Sequence, residues 1–318
     1  MKRFLMACAL ATVSAPAIHA QTLREQCASA STQVRDFCEN VADAATIMQP
    51  RLGIALSGGN PVPGTASTMG MRIGTLPRIS LGLRVSAAQV DLPPVERVNN
   101  TRDVTFPVGS IDADISVGLF SGFTVAPTMG GLGAIDLLGS VGIIPLPSGE
   151  GFDDSSPVTW ALGARAGILR ESFTAPGVSV SAMYRRLDDL LYGSESLSDR
   201  DAFFTVSDYD VMSFRATAGK RLFGFGLTVG AGYDRYSADI AGSVRDPNVA
   251  NPANTVTLRQ DGLETSRMSY FGNVSFTLLI LNMSAEAGWQ QGGDAIDGAT
   301  DKLQKGALFG GIAIRIAI

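Results

Sequence analysis

Histidine is the residue that most limits the chemistry open to this chain, because its single copy is His19, close to the N-terminus. If the first 20 residues are removed on export, the mature chain contains no histidine. A chain without histidine has no Ser-His-Asp or Cys-His nucleophilic site and no histidine-ligated zinc or haem. We therefore expect a protein that is not an enzyme, with no catalytic residue, no metal site and no cofactor.

Charged side chains at alternating positions of strand-like segments are the candidate functional residues. Residues two apart in a strand share a face, and the apolar series of each segment is assigned to the outside. The other face then holds equal numbers of arginines and carboxylates. These either pair to cross-link a filled interior or form a water-filled constriction whose field selects solutes. The predicted lumen and selectivity set is Arg84, Arg165, Arg185, Arg215, Arg315, Asp112, Asp114, Asp136, Asp234 and Glu286.

The C-terminal segment indicates which fold carries these residues. Ile312, Ile314, Ile316 and Ile318 alternate with small or charged residues, as in a strand with one apolar face. Such an edge strand would aggregate in a soluble domain, whereas a barrel in a bilayer uses both its edge and its apolar face. Charged residues make up only 17% of the chain. The sequence predicts an all-β, transmembrane, antiparallel up-and-down β-barrel with a short N-terminal helical segment.

The number of strands follows from counting segments with this pattern, which gives about 12. The connections between them alternate between short and long, as a single-chain barrel requires. We expect the short turns to face the periplasm and the long loops the outside. The predicted strands are 51–58, 67–76, 78–91, 111–126, 131–147, 157–171, 175–190, 207–221, 222–239, 264–279, 280–292 and 304–318.

Tryptophan and tyrosine lie at the strand ends next to the long loops. These side chains prefer a membrane–water interface because one end is apolar and the other forms hydrogen bonds. Phenylalanines lie toward the short-turn ends, so the two sets would form the two aromatic girdles of the barrel. The predicted interface aromatics are Trp160, Tyr184, Tyr209, Tyr233, Tyr236, Tyr270 and Trp289.

The N-terminus has the three regions of a secretory signal peptide: Lys2-Arg3, an apolar stretch, and Ala20 before the expected cleavage site. A lipoprotein site at Cys8 is disfavoured because only four residues separate Arg3 from Cys8. The predicted divisions are a signal peptide at 1–20, an N-terminal periplasmic or plug segment at 21–49 and the barrel at 50–318. The expected location is the outer membrane.

Cleavage of the signal peptide leaves 23 basic and 30 acidic residues in the mature chain, a charge balance that argues against a nucleic-acid partner.

Residues 21–48 contain apolar side chains at helical spacing and two cysteines, Cys27 and Cys38. An oxidising compartment favours a disulfide between them. In one unbroken helix their Cα atoms would lie about 16 Å apart, which is too far for a disulfide. If they pair, the chain must turn back at about 28–31. The segment is either a periplasmic tether or a plug in the lumen, and both alternatives stay open.

Asn60-Pro61 lies in the run Ser57-Gly58-Gly59-Asn60-Pro61-Val62-Pro63-Gly64. This run resembles the Asn-Pro hatch element of the long-chain fatty acid transporter family of outer-membrane barrels. The resemblance implies a plugged barrel that passes hydrophobic molecules.

The sequence thus predicts an outer-membrane channel or transporter for passive uptake of small or hydrophobic solutes. The alternative is a non-conducting structural or surface-binding barrel that acts through its long loops. Expected partners are outer-membrane lipid, lipopolysaccharide, the barrel assembly machinery and the solute. The barrel would be a monomer or a small homo-oligomer.

Overall fold

The computed structural model of this protein describes residues 23–317, except 33, 72–76, 99–101, 125–129, 147–151, 153–155, 194, 196–199, 246–254 and 297. The predicted signal peptide at 1–20 lies outside the described residues. The main helix, α1, spans Arg35–Ser57, and short 3-10 helices span Cys27–Ser29 and Asp301–Leu303. None of the described helices is long and apolar enough to cross a membrane.

Ten antiparallel strands form a closed barrel. The first strand pairs with the last, with Leu81 opposite Ile316, so that this sheet has no free edge. Strand β6 pairs only with β7, beyond the end of β5, and lies outside the closed set. The strands are β1 Arg78–Leu92, β2 Val104–Phe120, β3 Ile135–Ile143, β4 Val158–Leu169, β5 Gly177–Leu187, β6 Leu190–Gly193, β7 Ala202–Leu222, β8 Phe225–Arg245, β9 Thr255–Leu278, β10 Leu281–Gln290 and β11 Ala307–Ala317.

The predicted all-β antiparallel barrel with an N-terminal helical segment is confirmed, but the predicted number of about 12 strands is wrong. Residues 51–58, predicted as a strand, belong to the end of α1, and the described part of 67–76 is an irregular segment inside the barrel. The error has a physical cause. Leu52, Ile54 and Leu56 alternate as in a strand, but the helix is enclosed by the barrel and so needs no polar face. Pro50, which usually ends a helix, lies inside α1.

The outer surface of the barrel is apolar along every strand of the closed set. Leu83, Leu162 and Leu227 are each more than half exposed. Alternate residues of the same strands point inward and are buried, which is the period of two expected for a strand. One exposed apolar residue from each strand, in chain order, is Leu83, Ile115, Val141, Leu162, Val180, Phe214, Leu227, Val274, Met283 and Ile312.

Helix α1 lies inside the barrel, with its N-terminal end near the long loops. It contacts β1, β2, β7, β8, β9 and β11, which surround it. Between residues 37 and 56 every residue except Glu39 and Asn40 is buried. At about 1.5 Å per residue the 23-residue helix is about 35 Å long.

The chain leaves α1 at Gly58 and continues inside the barrel toward the short-turn end. Gly58 has φ +58°, and an added Cβ on Gly59 would lie 2.4 Å from Cγ of Phe271. These two glycines therefore allow the chain to turn in a space that no side chain could share. An isolated antiparallel bridge joins Met71 to Pro77 just before β1 begins. We call residues 35–71 the lumenal segment.

The exposed apolar surface generates a stability prediction. Leu162 lies in β4 with 62% of its surface exposed. If this surface faces lipid, Leu162→Arg lowers the free energy of unfolding by about 2–4 kcal/mol, because a charge near the bilayer midplane loses its hydration. The measurement is guanidinium unfolding of the protein in phospholipid vesicles. The control is Thr174→Arg in the exposed turn between β4 and β5. An equal loss in both variants contradicts the prediction.

Candidate functional site

The candidate site is the contact between the lumenal segment and the inner wall of the barrel. The wall changes character along its length. Around α1, toward the long loops, it presents buried apolar side chains such as Val90, Phe106, Phe204 and Val206. Around residues 57–71 it presents buried arginines, carboxylates and hydroxyls. The predicted lumen residues lie in this second part.

Arg215 and Glu286 clamp the turn that follows α1 from two sides. Arg215 donates hydrogen bonds to the carbonyl oxygens of Gly58 and Gly59 at 2.9 and 3.0 Å, and forms an ion pair with Asp234 at 2.8 Å. The two carboxylate oxygens of Glu286 accept the backbone N–H groups of Gly59 and Asn60 at 2.7 and 2.8 Å. Backbone groups buried in the lumen need such partners, since no secondary structure supplies them here.

A second clamp lies nearer the short-turn end. Asp136 and Arg165 face each other on β3 and β4, and their side chains pair at 2.7 Å with almost no exposure. The same carboxylate accepts the backbone N–H of Met69 at 3.0 Å. Arg165 points its remaining N–H group at the carbonyl oxygen of Thr65 at 3.5 Å. The pair therefore holds the lumenal segment as well as the wall.

The remaining predicted lumen residues form a third group on β1, β2, β5 and β11. Asp112 pairs with Arg185 at 3.2 Å and accepts a hydrogen bond from Ser110, whose hydroxyl also contacts the carbonyl of Ala55 at 3.1 Å. Arg84 pairs with Asp114 at 3.3 Å. Arg315 makes no ion pair among the described residues, and its nearest hydrogen-bond partner is Ser80 at 3.5 Å.

All ten predicted lumen residues have partners or burial consistent with an inward position, and nine of them take part in the three groups of contacts. The geometry pairs opposite charges across neighbouring strands, except that Asp112 on β2 pairs with Arg185 on β5, and it places several of these charges against the lumenal segment. In the described part of the chain these charges do not face each other across an open pore. The positions of these ten residues do not by themselves assign them a role in selecting solutes.

Five of the seven predicted interface aromatics lie on the outer surface or at its edge. Trp160 and Tyr184 pack with ring centroids 5.6 Å apart, and Tyr270 and Trp289 stack at 6.5 Å. Tyr233 is also exposed.

The prediction is wrong for Tyr209 and Tyr236, which are fully buried inside the barrel. Tyr209 shares a face with Arg215, and Tyr236 shares a face with Asp234. The alternation rule thus assigns both rings to the inside, in conflict with the rule that tyrosine marks an interface. The alternation rule is correct because β7 and β8 extend toward the long loops, where their inward side chains meet α1.

These tyrosines belong to a ring of hydrogen bonds around the middle of α1 that the sequence analysis missed. Tyr209 donates to the carbonyl oxygen of Gln49. The side-chain amide nitrogen of Gln290 donates to the hydroxyl oxygen of Tyr236 at 2.8 Å and to the carbonyl oxygen of Pro50 at 3.1 Å. Pro50 has no N–H group, so the helix carbonyl that loses its usual donor is that of Thr46, and the bonds to the carbonyls of Gln49 and Pro50 are additional contacts between α1 and the wall. No periodicity in the sequence indicated these contacts.

The N-terminal end of the described chain is fixed to the long loops. Cys27 and Cys38 form a disulfide with their Cα atoms 5.7 Å apart. The chain reverses direction between the 3-10 helix Cys27–Ser29 and the start of α1 at Arg35. Arg24 pairs with Asp43 at 2.8 Å, and Asp43 accepts the backbone N–H of Thr300 at 2.9 Å. We call residues 23–34 the hook.

The described residues contain no group of three or more histidine, cysteine, aspartate or glutamate side chains arranged to hold a metal ion. The chemistry available at the candidate site is therefore that of hydrogen bonds and ion pairs between the lumenal segment and the wall.

No protein-family model and no curated protein sequence matches this chain. Among solved structures, the translocator domain of autotransporter NalP from Neisseria meningitidis is similar over 87% of this chain and 96% of its own, with 12% identity and a TM-score of 0.42. The toluene transporter TodX from Pseudomonas putida is similar over 81% of this chain and 95% of its own, with 8% identity and a TM-score of 0.32. The outer membrane protease OmpT from Escherichia coli is similar over 76% of this chain and 94% of its own, with 14% identity and a TM-score of 0.33.

These three barrels differ in what they do: one is a translocator domain, one a transporter and one a protease. The likeness is one of general fold, at low identity, and it does not distinguish between these activities. The function must be argued from the residues of this chain.

The clamp at Gly59 and Asn60 generates a prediction for the lumenal segment. Glu286→Gln keeps the size of the side chain but replaces two charge-assisted hydrogen bonds by weaker or mismatched ones, at a cost of about 1.5–3 kcal/mol. If the segment opens locally, amide hydrogen exchange at 57–61 accelerates roughly 10- to 100-fold. The matched control is Glu264→Gln in an exposed pair with Arg235. Unchanged exchange in Glu286→Gln rules out a clamp at this position.

Proposed function

We propose that this protein is an integral outer-membrane β-barrel for passive uptake of small or hydrophobic solutes, in which the lumenal segment is a plug. The long loops face outside, the short turns face the periplasm, and residues 1–20 are a cleaved signal peptide. Support for the membrane comes from the apolar outer surface on every strand of the closed barrel. Such a surface is stable in lipid and prone to aggregation in water.

The observation that carries the proposal is that residues of the same chain occupy the barrel from the long loops to the short-turn end. The contacts that hold residues 57–71 are mainly hydrogen bonds from wall side chains to backbone groups. Hydrogen bonds of this kind can be exchanged for water when the segment moves, so their loss is partly compensated. A plug held this way is a reversible closure.

The wall around α1 favours a hydrophobic solute over a polar one. Val90, Val108, Phe204 and Val206 are buried against the helix together with other apolar side chains. If the helix shifts, these side chains line the space that it leaves. A polar solute would lose hydration there without gaining hydrogen bonds, whereas an apolar solute would replace the contacts of the helix.

A second candidate is a non-conducting barrel that acts through its long loops, with lipopolysaccharide or another surface partner. It is favoured by the buried ion pairs and by the hook, whose disulfide and Arg24–Asp43 pair tie the N-terminal end of α1 to the loop before β11. Removing one partner of a buried ion pair costs about 3–5 kcal/mol, so these contacts fix the lumen strongly. The two candidates differ in whether the lumenal segment ever leaves its position.

Planar-bilayer conductance of the refolded mature protein tests the plug. The parent is expected to be closed for most of the time, because the lumenal segment fills the barrel. Deletion of residues 21–71, which removes the hook and the whole lumenal segment, is expected to give steady conductance and faster entry of an apolar fluorescent probe into vesicles. The matched control is deletion of residues 21–34, which removes the hook but leaves α1 in the lumen.

The two deletions separate the candidate functions. Conductance after the longer deletion and not after the shorter one supports a plug. A complete absence of conductance in every form, from protein shown to be folded and inserted, rejects the transporter and leaves the non-conducting barrel. Gel electrophoresis of heated and unheated samples checks that both deletion variants fold, because a folded barrel changes its migration when it is heated.

The charged wall generates a selectivity prediction in the form that lacks residues 21–71. Arg165 and Asp136 are paired and almost completely buried. In Arg165→Ala the carboxylate of Asp136 is left without its arginine, so the pore is expected to become more selective for cations. The reversal potential in a salt gradient measures this change. Arg259→Ala, in an exposed pair with Asp261 at the long-loop end, is the control. An equal reversal potential in the two variants contradicts a role for Arg165 in the pore.

A further inference from the structure

A cavity of about 510 Å³ opens at the short-turn end of the barrel, at the end of the lumenal segment. Its lining includes four arginines from four different parts of the wall: Arg78, Arg170, Arg221 and Arg315. The lumenal segment contributes Thr65, Ser67, Thr68 and Met69 to the same lining. We call this cavity the arginine basin.

The basin carries a strong excess of positive charge. Among the residues that line it, Glu171 is the only carboxylate, and it pairs with Arg221 at 3.1 Å. Arg78, Arg170 and Arg315 make no ion pair within the described part of the chain. The chain as a whole is acidic, so this concentration of arginine is local and is not a consequence of the overall composition.

Several polar atoms around the basin are buried without a hydrogen-bond partner among the described residues. They belong to two of the arginines, to the lumenal segment and to β10, and they are Nε of Arg170, Nε of Arg315, Oγ1 of Thr68 and Oδ1 of Asn282. Buried polar groups usually have partners, since leaving them unpaired costs about 1–3 kcal/mol each. Three of these atoms, Nε of Arg170, Nε of Arg315 and Oγ1 of Thr68, can donate, so their concentration around one cavity indicates that a hydrogen-bond acceptor completes the site.

The lip of the basin is apolar. Leu279 and Ile280, in the turn between β9 and β10, line the cavity and are 92% and 62% exposed. Ala317, at the end of β11, lies on the same lip. A ligand in the basin would therefore meet arginines at its polar end and exposed hydrocarbon at the other.

We propose that the arginine basin binds the phosphate group of an anionic phospholipid from the membrane leaflet at the short-turn end. Guanidinium groups bind phosphate oxygens through paired hydrogen bonds, and Arg is favoured wherever such recognition is needed. The same chemistry would fit free phosphate, but only a lipid also covers Leu279 and Ile280. The site lies against the lumenal segment and is independent of whether the barrel conducts solute.

Native mass spectrometry of the mature protein released from neutral detergent tests the site with three probes: short-chain phosphatidylglycerol, the matching phosphatidylcholine and inorganic phosphate. Phosphatidylglycerol is expected to bind at least tenfold more tightly than either of the others. Arg78→Gln is the mildest variant, because Arg78 makes only a 3.4 Å hydrogen bond to the carbonyl of Met69. It is expected to weaken phosphatidylglycerol at least threefold, and the double variant Arg170→Gln/Arg221→Gln at least tenfold.

Arg259→Gln, at the opposite end of the barrel, is the matched control and is expected to bind phosphatidylglycerol like the parent. Equal binding of phosphatidylglycerol and phosphatidylcholine overturns the proposal, as does unchanged binding in folded Arg78→Gln. Binding of inorganic phosphate as tight as that of phosphatidylglycerol overturns the lipid assignment, because the apolar lip would then contribute nothing.

Discussion

The structure depends on the need to satisfy backbone groups that are buried inside the barrel without a strand or helix to pair with. The turn after α1 exposes carbonyl and N–H groups at Gly58, Gly59 and Asn60 to the lumen, and Arg215 and Glu286 supply their partners. Each of these side chains needs a compensating charge, which Asp234 gives to Arg215. The polar part of the wall and the lumenal segment therefore form one hydrogen-bonded network.

The same constraint explains why the two parts of the lumen differ. A helix pairs most of its own backbone groups, so the wall around α1 can be largely apolar, with polar side chains bonded to a few carbonyls such as those of Gln49, Pro50 and Ala55. Residues 58–71 have only a few hydrogen bonds of their own, such as that from the N–H of Val62 to the side-chain oxygen of Asn60, and they meet arginines, carboxylates and hydroxyls of the wall. The boundary between an apolar and a charged wall lies close to the end of α1.

Much of the wall could be predicted from the sequence because a strand has a fixed period. Alternation assigned Arg165, Arg215 and Asp136 to the inside and Leu227 to the outside, in agreement with their burial. What alternation could not predict was the content of the lumen. Leu52, Ile54 and Leu56 fit a strand or an enclosed helix equally well, and the choice depends on contacts with β7 and β8, about 150 residues later in the chain. Tyr209 and Tyr236 were misplaced for the same reason.

The path of the lumenal segment also bears on how the molecule assembles. The segment enters at the long-loop end, where the disulfide of the hook lies, and its last described residue, Met71, is bridged to Pro77 just before β1. The sheet closes where β1 pairs with β11, the two strands most distant in sequence. Pairing strands so distant in sequence costs more loop-closure entropy than pairing sequence neighbours. The strand of the barrel that is synthesised first therefore pairs with the one synthesised last, and the sheet that this pairing closes encloses α1.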